Sequence, residues 1–239
     1  MAFNGLCKSI LLRQKAFVNK VRLKNHLFLG LKLYNMIMIK KDGLETYQKV
    51  GIIFLVVVIA GCVGWAFEFL LGLAETGRFY MKGGNFLPWM NIYAFGALMM
   101  ILIGKKLKKN PTAVFLVSAI AAGMLELVAG WLVYTIWDGA RYWNYNEGIW
   151  VIGSIGGFVC LFSVLGFGVY ALILTYLLLP FLEKVARKMP RRRFLTLTIS
   201  LFSLVMIDEM TNLTLKNLGM PTAMDFYSSR GLEYRDYSD

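Results

Sequence analysis

The sequence predicts an all-α protein: a polytopic transmembrane helix bundle of about five spanning helices, with six as the rival count, behind a basic amphipathic N-terminal segment. Three observations carry this. Of the 239 residues, 58% are hydrophobic and 17% charged, against roughly 45–50% and ~25% in soluble domains. Several apolar runs approach or exceed the ~20 residues needed to cross ~30 Å of hydrocarbon. Lys and Arg gather in alternate connecting segments, the pattern of loops retained on the cytoplasmic side of a membrane.

Residues 1–49 hold ten Lys and Arg. Between 3 and 41 these alternate with apolar residues at about helical spacing, which predicts an amphipathic helix on the membrane surface. The basic residues recur too often to leave an apolar core before a cleavage site, so the segment does not read as a secretory signal. A second reading stands beside the first. Met36 or Met38, followed by IKKDGLETYQKV, makes an ordinary start ahead of the first span, and residues 1–35 are then an upstream extension of the reading frame.

The spans follow in order at 51–74, 88–104, 112–136, 150–182 and 194–207, the last extending to about Thr211. The fourth would be ~50 Å long as one helix. Its glycine-rich start (Gly153, Gly156, Gly157) is therefore expected to be bent, re-entrant or interfacial. The basic segments are 1–49, KKLKK at 105–109 and EKVARKMPRRR at 183–193. Their alternation with the nearly neutral loops 75–87 and 137–149 places the N-terminus in the cytoplasm and the C-terminus outside a cell membrane. The expected divisions are 1–49 (N-terminal segment), 50–211 (bundle) and 212–239 (extracytoplasmic tail). The net charge of +12 is then a topology signal and a contact for anionic lipid, not a nucleic-acid surface.

Several chemistries lack their residues. Cys7, Cys62 and Cys160 are scattered, and His26 stands without a nearby carboxylate. Neither a disulfide framework, a thiolate or imidazole metal site nor a Ser-His-Asp triad follows. No cofactor is called for.

What the composition does not absorb is acid inside hydrocarbon. Glu68, Glu126 and Asp208 fall in the outer halves of their spans. A carboxylate there costs roughly 2.5–3.5 kcal/mol, so such groups face a bundle interior or a wet cavity and find partners. Gly123, Glu126, Gly130 and Tyr134, at intervals of three, four and four, share one helix face, where a stripe of small residues lets a neighbouring helix approach, and Gly61, Gly64 and Glu68 repeat the device on the first span. The glutamates are either helix-to-helix hydrogen-bond partners or part of a functional site. After Glu126 the run WDGARYWNYNE brings Asp138, Arg141, Trp143, Asn144 and Tyr145 close together. The aromatic residues of this region, Trp137, Tyr142, Trp143, Tyr145 and Trp150, read either as an interfacial belt or as a packed cap, and the interspersed charges and amides favour the cap. Arg141 is the expected countercharge.

The runs GWAFEFLLGLAETGRF, NFLPWMNIYAFGAL and MLELVAGWLVYTIWDGARYWNYNEG resemble the ABC-transporter type IV (CmpB-type) permease family of bacterial membrane proteins. The likeness spans about 61–208 and rests on Gly64, Trp65 and Glu68; Ile92, Tyr93 and Gly96; Glu126, Gly130 and Trp131; Arg141, Tyr142, Trp143 and Tyr145; and Asp208. Asn91 stands where the family tends to have proline and Asn144 where it tends to have aspartate, and the loop after Tyr145 is shortened. The resemblance and the placement of the acids together imply a permease-like subunit with an outer-facing polar cavity that binds a solute or lipid headgroup. Its candidate residues are Glu68, Tyr93, Asn91, Glu126, Trp131, Arg141, Trp143, Asn144, Tyr145 and Asp208. Without a GxxxxGK[ST] motif, ATP hydrolysis would come from a separate ATPase subunit. Membrane lipids are the other expected partners. The alternative is a small intramembrane enzyme acting on lipid at the outer leaflet, with Glu68 or Glu126 as acid or base and Arg141 holding an anionic group. The lack of an evident nucleophile or metal set counts against it.

Overall fold

The computed structural model describes residues 43–136, 139 and 141–234. The expected amphipathic segment before residue 43, Trp137, Asp138 and the last five residues lie outside them, and the description concerns the unit Tyr47–Asp239. The long helices are α1 (Thr46–Thr76), α2 (Asn91–Leu107), α3 (Pro111–Ile136), α4 (Leu161–Lys188) and α5 (Arg191–Asn217). Four of them, all but α2, are long and apolar enough to cross a membrane. At 17 residues, α2 is ~26 Å long, and its apolar run is the second span of the five-helix expectation. A short helix, α6 (Ala223–Ser228), follows α5, and two-residue strands β1 (Tyr80–Met81) and β2 (Glu233–Tyr234) pair in parallel.

Local chemistry sets the breaks between helices. Asn110 caps α3, its Oδ1 accepting from the Ala113 N–H at 3.1 Å, with Pro111 at the first helical position, where its missing N–H costs nothing. A capping box starts α4: Cys160 Sγ accepts from Ser163 N, and Ser163 Oγ accepts from Cys160 N. The fourth run, expected to be bent, re-entrant or interfacial at its start, opens with a 3-10 turn at Gly148–Val151 and is irregular from there to Cys160. Gly153, Gly156 and Gly157 have positive φ, conformations that shut out a regular helix, and an isolated bridge joins Ile155 to Val159. The fifth helix runs to Asn217, beyond the expected end near Thr211. Its last turns are anchored by polar contacts that an apolar-run criterion does not see.

Antiparallel α3 and α4 approach most closely, since Gly123 faces Val164 and Gly168 faces the Phe115 ring. Small residues let helices meet where no hydrophobic drive separates protein from lipid. On the other side of the bundle α1 meets α5, with Phe54 and Phe202 stacked at 4.1 Å. Val58, Trp89, Ala94 and Val205 form a core where α1, α2 and α5 converge. One end of the bundle carries the segments 77–90 and 137–160, the cap end. The other carries 105–109 and 183–193, the basic end.

Candidate functional site

The cap end is organised around two glutamates. Glu126, on α3, is 8% exposed. Tyr145 Oη donates to its Oε1 at 2.8 Å, and Ser163 Oγ donates to its Oε2 at 2.8 Å. Ser163 lies in the first turn of α4, so the carboxylate also sits near a helix start, where the helix dipole favours negative charge. Burial pushes the Tyr145 phenol above its ordinary value, and the neighbouring Glu126 charge adds to the shift. Tyr145 therefore stays a protonated donor.

Glu68, on α1, has a parallel arrangement. Tyr93 Oη, from α2, donates to its Oε1 at 2.7 Å, and Lys82 Nζ lies 3.6 Å from its Oε2. The Lys82 backbone is pinned in turn, because its carbonyl accepts from Trp65 Nε1 at 2.9 Å. Glu68 and Glu126 lie within electrostatic reach of one another, and both act on Tyr93 and Tyr145. Two carboxylates from different helices, each held by a tyrosine, thus share one neighbourhood.

The glycines before Glu68 let the start of α2 approach. A Cβ at Gly61 would lie 2.0 Å from Trp89 Nε1, and one at Gly64 would lie 2.1 Å from the Tyr93 ring. The stripe admits these two rings, and the backbone at the start of α2 comes with them: Met90 N donates to the Gly61 carbonyl at 3.1 Å. Trp89 Nε1 then donates to the Val57 carbonyl at 3.1 Å, which fixes the start of α2 and delivers Tyr93 to Glu68. On α3 only Gly123 meets a helix; Gly130 faces Phe158 and Trp143 from the loop.

That loop folds back over the helix ends as a packed cap. Trp143 Nε1 donates to the Phe158 carbonyl at 2.8 Å, and Tyr145 N donates to the Gly157 carbonyl at 3.0 Å. Asn144 Oδ1 accepts from the Asn146 N–H at 3.1 Å, an Asx-type turn. Arg141 does not become the countercharge of a glutamate. Its Nη1 donates to the Gly156 carbonyl at 3.0 Å, and its guanidinium lies 4.8 Å from the Tyr134 ring centre and 4.7 Å from that of Phe158. A planar cation lies over two ring faces, and among the described residues the charge beside Glu68 is Lys82 instead.

Three further candidates lie apart from the glutamates. Asp208 clamps the loop after β1: its carboxylate accepts from Phe86 N at 3.1 Å and Leu87 N at 2.9 Å. Asn91 is exposed, and its Nδ2 donates to Glu209 Oε1 at 3.4 Å. Trp131 is 54% exposed on the outside of α3. The structure therefore brings together Glu68, Tyr93, Glu126 and Tyr145, and layers Arg141, Trp143 and Asn144 in the cap. Sequence reasoning missed Lys82 and Ser163, and it named Trp65 only as part of the family motif. Ser163 carried a faint signal, a hydroxyl residue near the start of a long apolar run, and Lys82 was a basic residue in a nearly neutral loop. Among the described residues no group of His, Cys, Asp and Glu is arranged to hold a metal ion.

Fold and site define a polytopic helical membrane protein with two glutamates, each held by a tyrosine, at one end of its bundle. A family model described as "Putative ABC-transporter type IV" matches residues 53–213, and the chain belongs to that family. The matched stretch contains all three runs on which the resemblance rested. No curated protein and no solved structure gives a match.

Proposed function

We propose that the chain is a permease-like subunit of an ABC-type transporter in the cell membrane, and that its cap end faces outward and binds a solute or a lipid headgroup between Glu68 and Glu126. The observation that carries this reading is the pairing itself. Two acidic groups on separate helices are brought together at a cost that hydrocarbon makes high, and each is oriented by a tyrosine. A purely structural hydrogen bond between helices needs only one such group. The carboxylates offer acceptors and Lys82 offers a donor, which suits a ligand bearing amine or hydroxyl groups. Arg141, Trp143 and Asn144 form the roof over that position, and Asn91, Trp131 and Asp208 take no direct part in it. The basic end faces the cytoplasm and receives the separate ATPase subunit.

Native mass spectrometry on the chain purified in mild detergent tests the reading. A ligand mass retained by the wild type and lost in both Glu68→Gln and Glu126→Gln, with folding intact, is the expected result. Retention of the same mass by both variants would reject the site.

A further inference from the structure

Below the glutamates, toward the basic end, lie three more buried polar groups that the site does not use. Among the described residues, the hydroxyls of Ser118, Tyr170 and Thr175 are sealed from solvent and have no hydrogen-bond partner. Ser118 is 0% and Thr175 1% exposed. Buried hydroxyls are almost always satisfied, by protein or by ordered water, and a bundle in lipid has every reason to replace idle ones with alanine or valine. Their positions are ordered. Ser118 lies on the Glu126 face of α3, eight residues or ~12 Å deeper. On α4, Tyr170 and Thr175 follow the Glu126 partner Ser163 at ~10 Å and ~18 Å. The contacts of Gly123 with Val164 and of Gly168 with Phe115 hold these two helix faces together along the same stretch.

The backbone is altered at the same level. Residues Leu174–Leu178 of α4 form a π turn, a rare widening of the helix that recurs at functional sites. It carries Thr175, whose Oγ1 points at Gly104 of α2; a Cβ there would lie 2.1 Å from that oxygen. The next residue, Tyr176, donates from Oη to the Lys108 carbonyl at 2.8 Å, in the basic loop. Polar groups thus run from Glu126 to the far end of the bundle, at steps of up to ~12 Å of helix rise that chains of three or four water molecules would bridge at ~2.8 Å per hydrogen bond.

We infer that Ser118, Tyr170 and Thr175 line a hydrated path through the inner half of the bundle, along which protons pass between Glu126 and the basic end. The inference stands whether or not the cap end binds a solute. A hydroxyl accepts one proton as it releases another, so each group returns to its starting state, and Glu126 is the group able to hold the proton at the end of the path.

Proton flux tests it without any solute. The full-length chain is reconstituted in liposomes containing a pH-sensitive dye, and a potassium diffusion potential is applied with valinomycin. The expected result is proton entry several-fold above protein-free vesicles, reduced at least fivefold by Thr175→Val, Ser118→Ala and Glu126→Gln. Thr175→Ser, which keeps the hydroxyl, should retain the wild-type rate. Thermal melting of each variant in detergent shows that it is folded, and Ser118→Ala makes the test independently if Thr175→Val is not. Wild-type flux equal to that of empty vesicles overturns the inference, as does undiminished flux in folded Thr175→Val or Ser118→Ala.

Discussion

Tyr145 donates its phenolic hydrogen to Glu126 Oε1 at 2.8 Å, across 19 residues of chain. The contact closes the loop after α3 onto the helix that launched it, and it places a protonated donor on a carboxylate that is 8% exposed. Tyr145→Phe removes the donor and leaves the acid with Ser163 as its other side-chain partner. It should destabilise the protein by ~1–3 kcal/mol, the cost of an unmet buried acceptor. Glu126→Gln keeps an acceptor oxygen and should unfold close to the wild type, whereas Glu126→Leu strands two hydroxyls and should fall furthest. Thermal unfolding in detergent ranks the three, and an unchanged midpoint for Tyr145→Phe would show that the contact carries no weight.

Gly64→Ala should separate Tyr93 from Glu68. The new methyl would lie 2.1 Å from a rigid ring, so ring and helix must part, at ~1–3 kcal/mol for overpacking. Gly96→Ala is the control, because nothing lies within 4 Å of its Cβ position, and helix propensity alone favours it by up to ~1 kcal/mol. Equal effects from the two would discredit the ring packing.

Asp208→Ala removes the acceptor of two backbone N–H groups, Phe86 and Leu87. Hydrogen bonds to a charged group contribute ~1.5–3 kcal/mol each, so the loop after β1 should loosen before the bundle does. Limited proteolysis reads this locally: cleavage near residues 83–87 should quicken while the helices remain intact. Unchanged cleavage would mean that other contacts hold the loop.

The start of α6 should respond to acid. Asp225 accepts from the backbone N–H and the hydroxyl of Thr222, and these bonds hold its carboxyl below the ordinary value. A lowered folded value means that the contribution is fully present above the unfolded carboxylate range and is lost as pH falls through the folded one. Protection of the amides at 223–228 against hydrogen exchange, taken relative to the intrinsic rate at each pH, should fall as acid protonates Asp225 below the ordinary carboxylate range in the wild type. In Asp225→Asn that acid step should be missing; its persistence would assign the step to another group.

Added cysteines test the direction of the chain. Lys106→Cys and Arg192→Cys at the basic end should resist an impermeant thiol reagent in intact cells, while Asn146→Cys at the cap end should label. Equal labelling of positions 106 and 146 would reject the five-span arrangement and the outward cap.

The sequence by itself determined the solvent, the helices and the glutamates that need partners. Apolar length and basic segments are one-dimensional properties, so α1, α3 and α4 follow from them, as does the non-helical start of the fourth run at Gly153–Gly157. It also marked Glu68, Glu126, Tyr93 and Tyr145, because an acid in hydrocarbon is conspicuous and because the family motif named the tyrosines. Only the tertiary structure decided who meets whom. Spacing on a helix says which residues share a face, not what lies opposite. Gly61 and Gly64 therefore read as a seat for some neighbouring helix, and only the packing shows that the start of α2 fills it with the rings of Trp89 and Tyr93. Arg141 read as the partner of an acid by charge alone, yet the path of the loop carries it between Tyr134 and Phe158, and Lys82 reaches Glu68. Ser163 and the idle hydroxyls of Ser118 and Thr175 gained their meaning last, since a hydroxyl in a hydrophobic run is ordinary until the packing shows whether anything answers it.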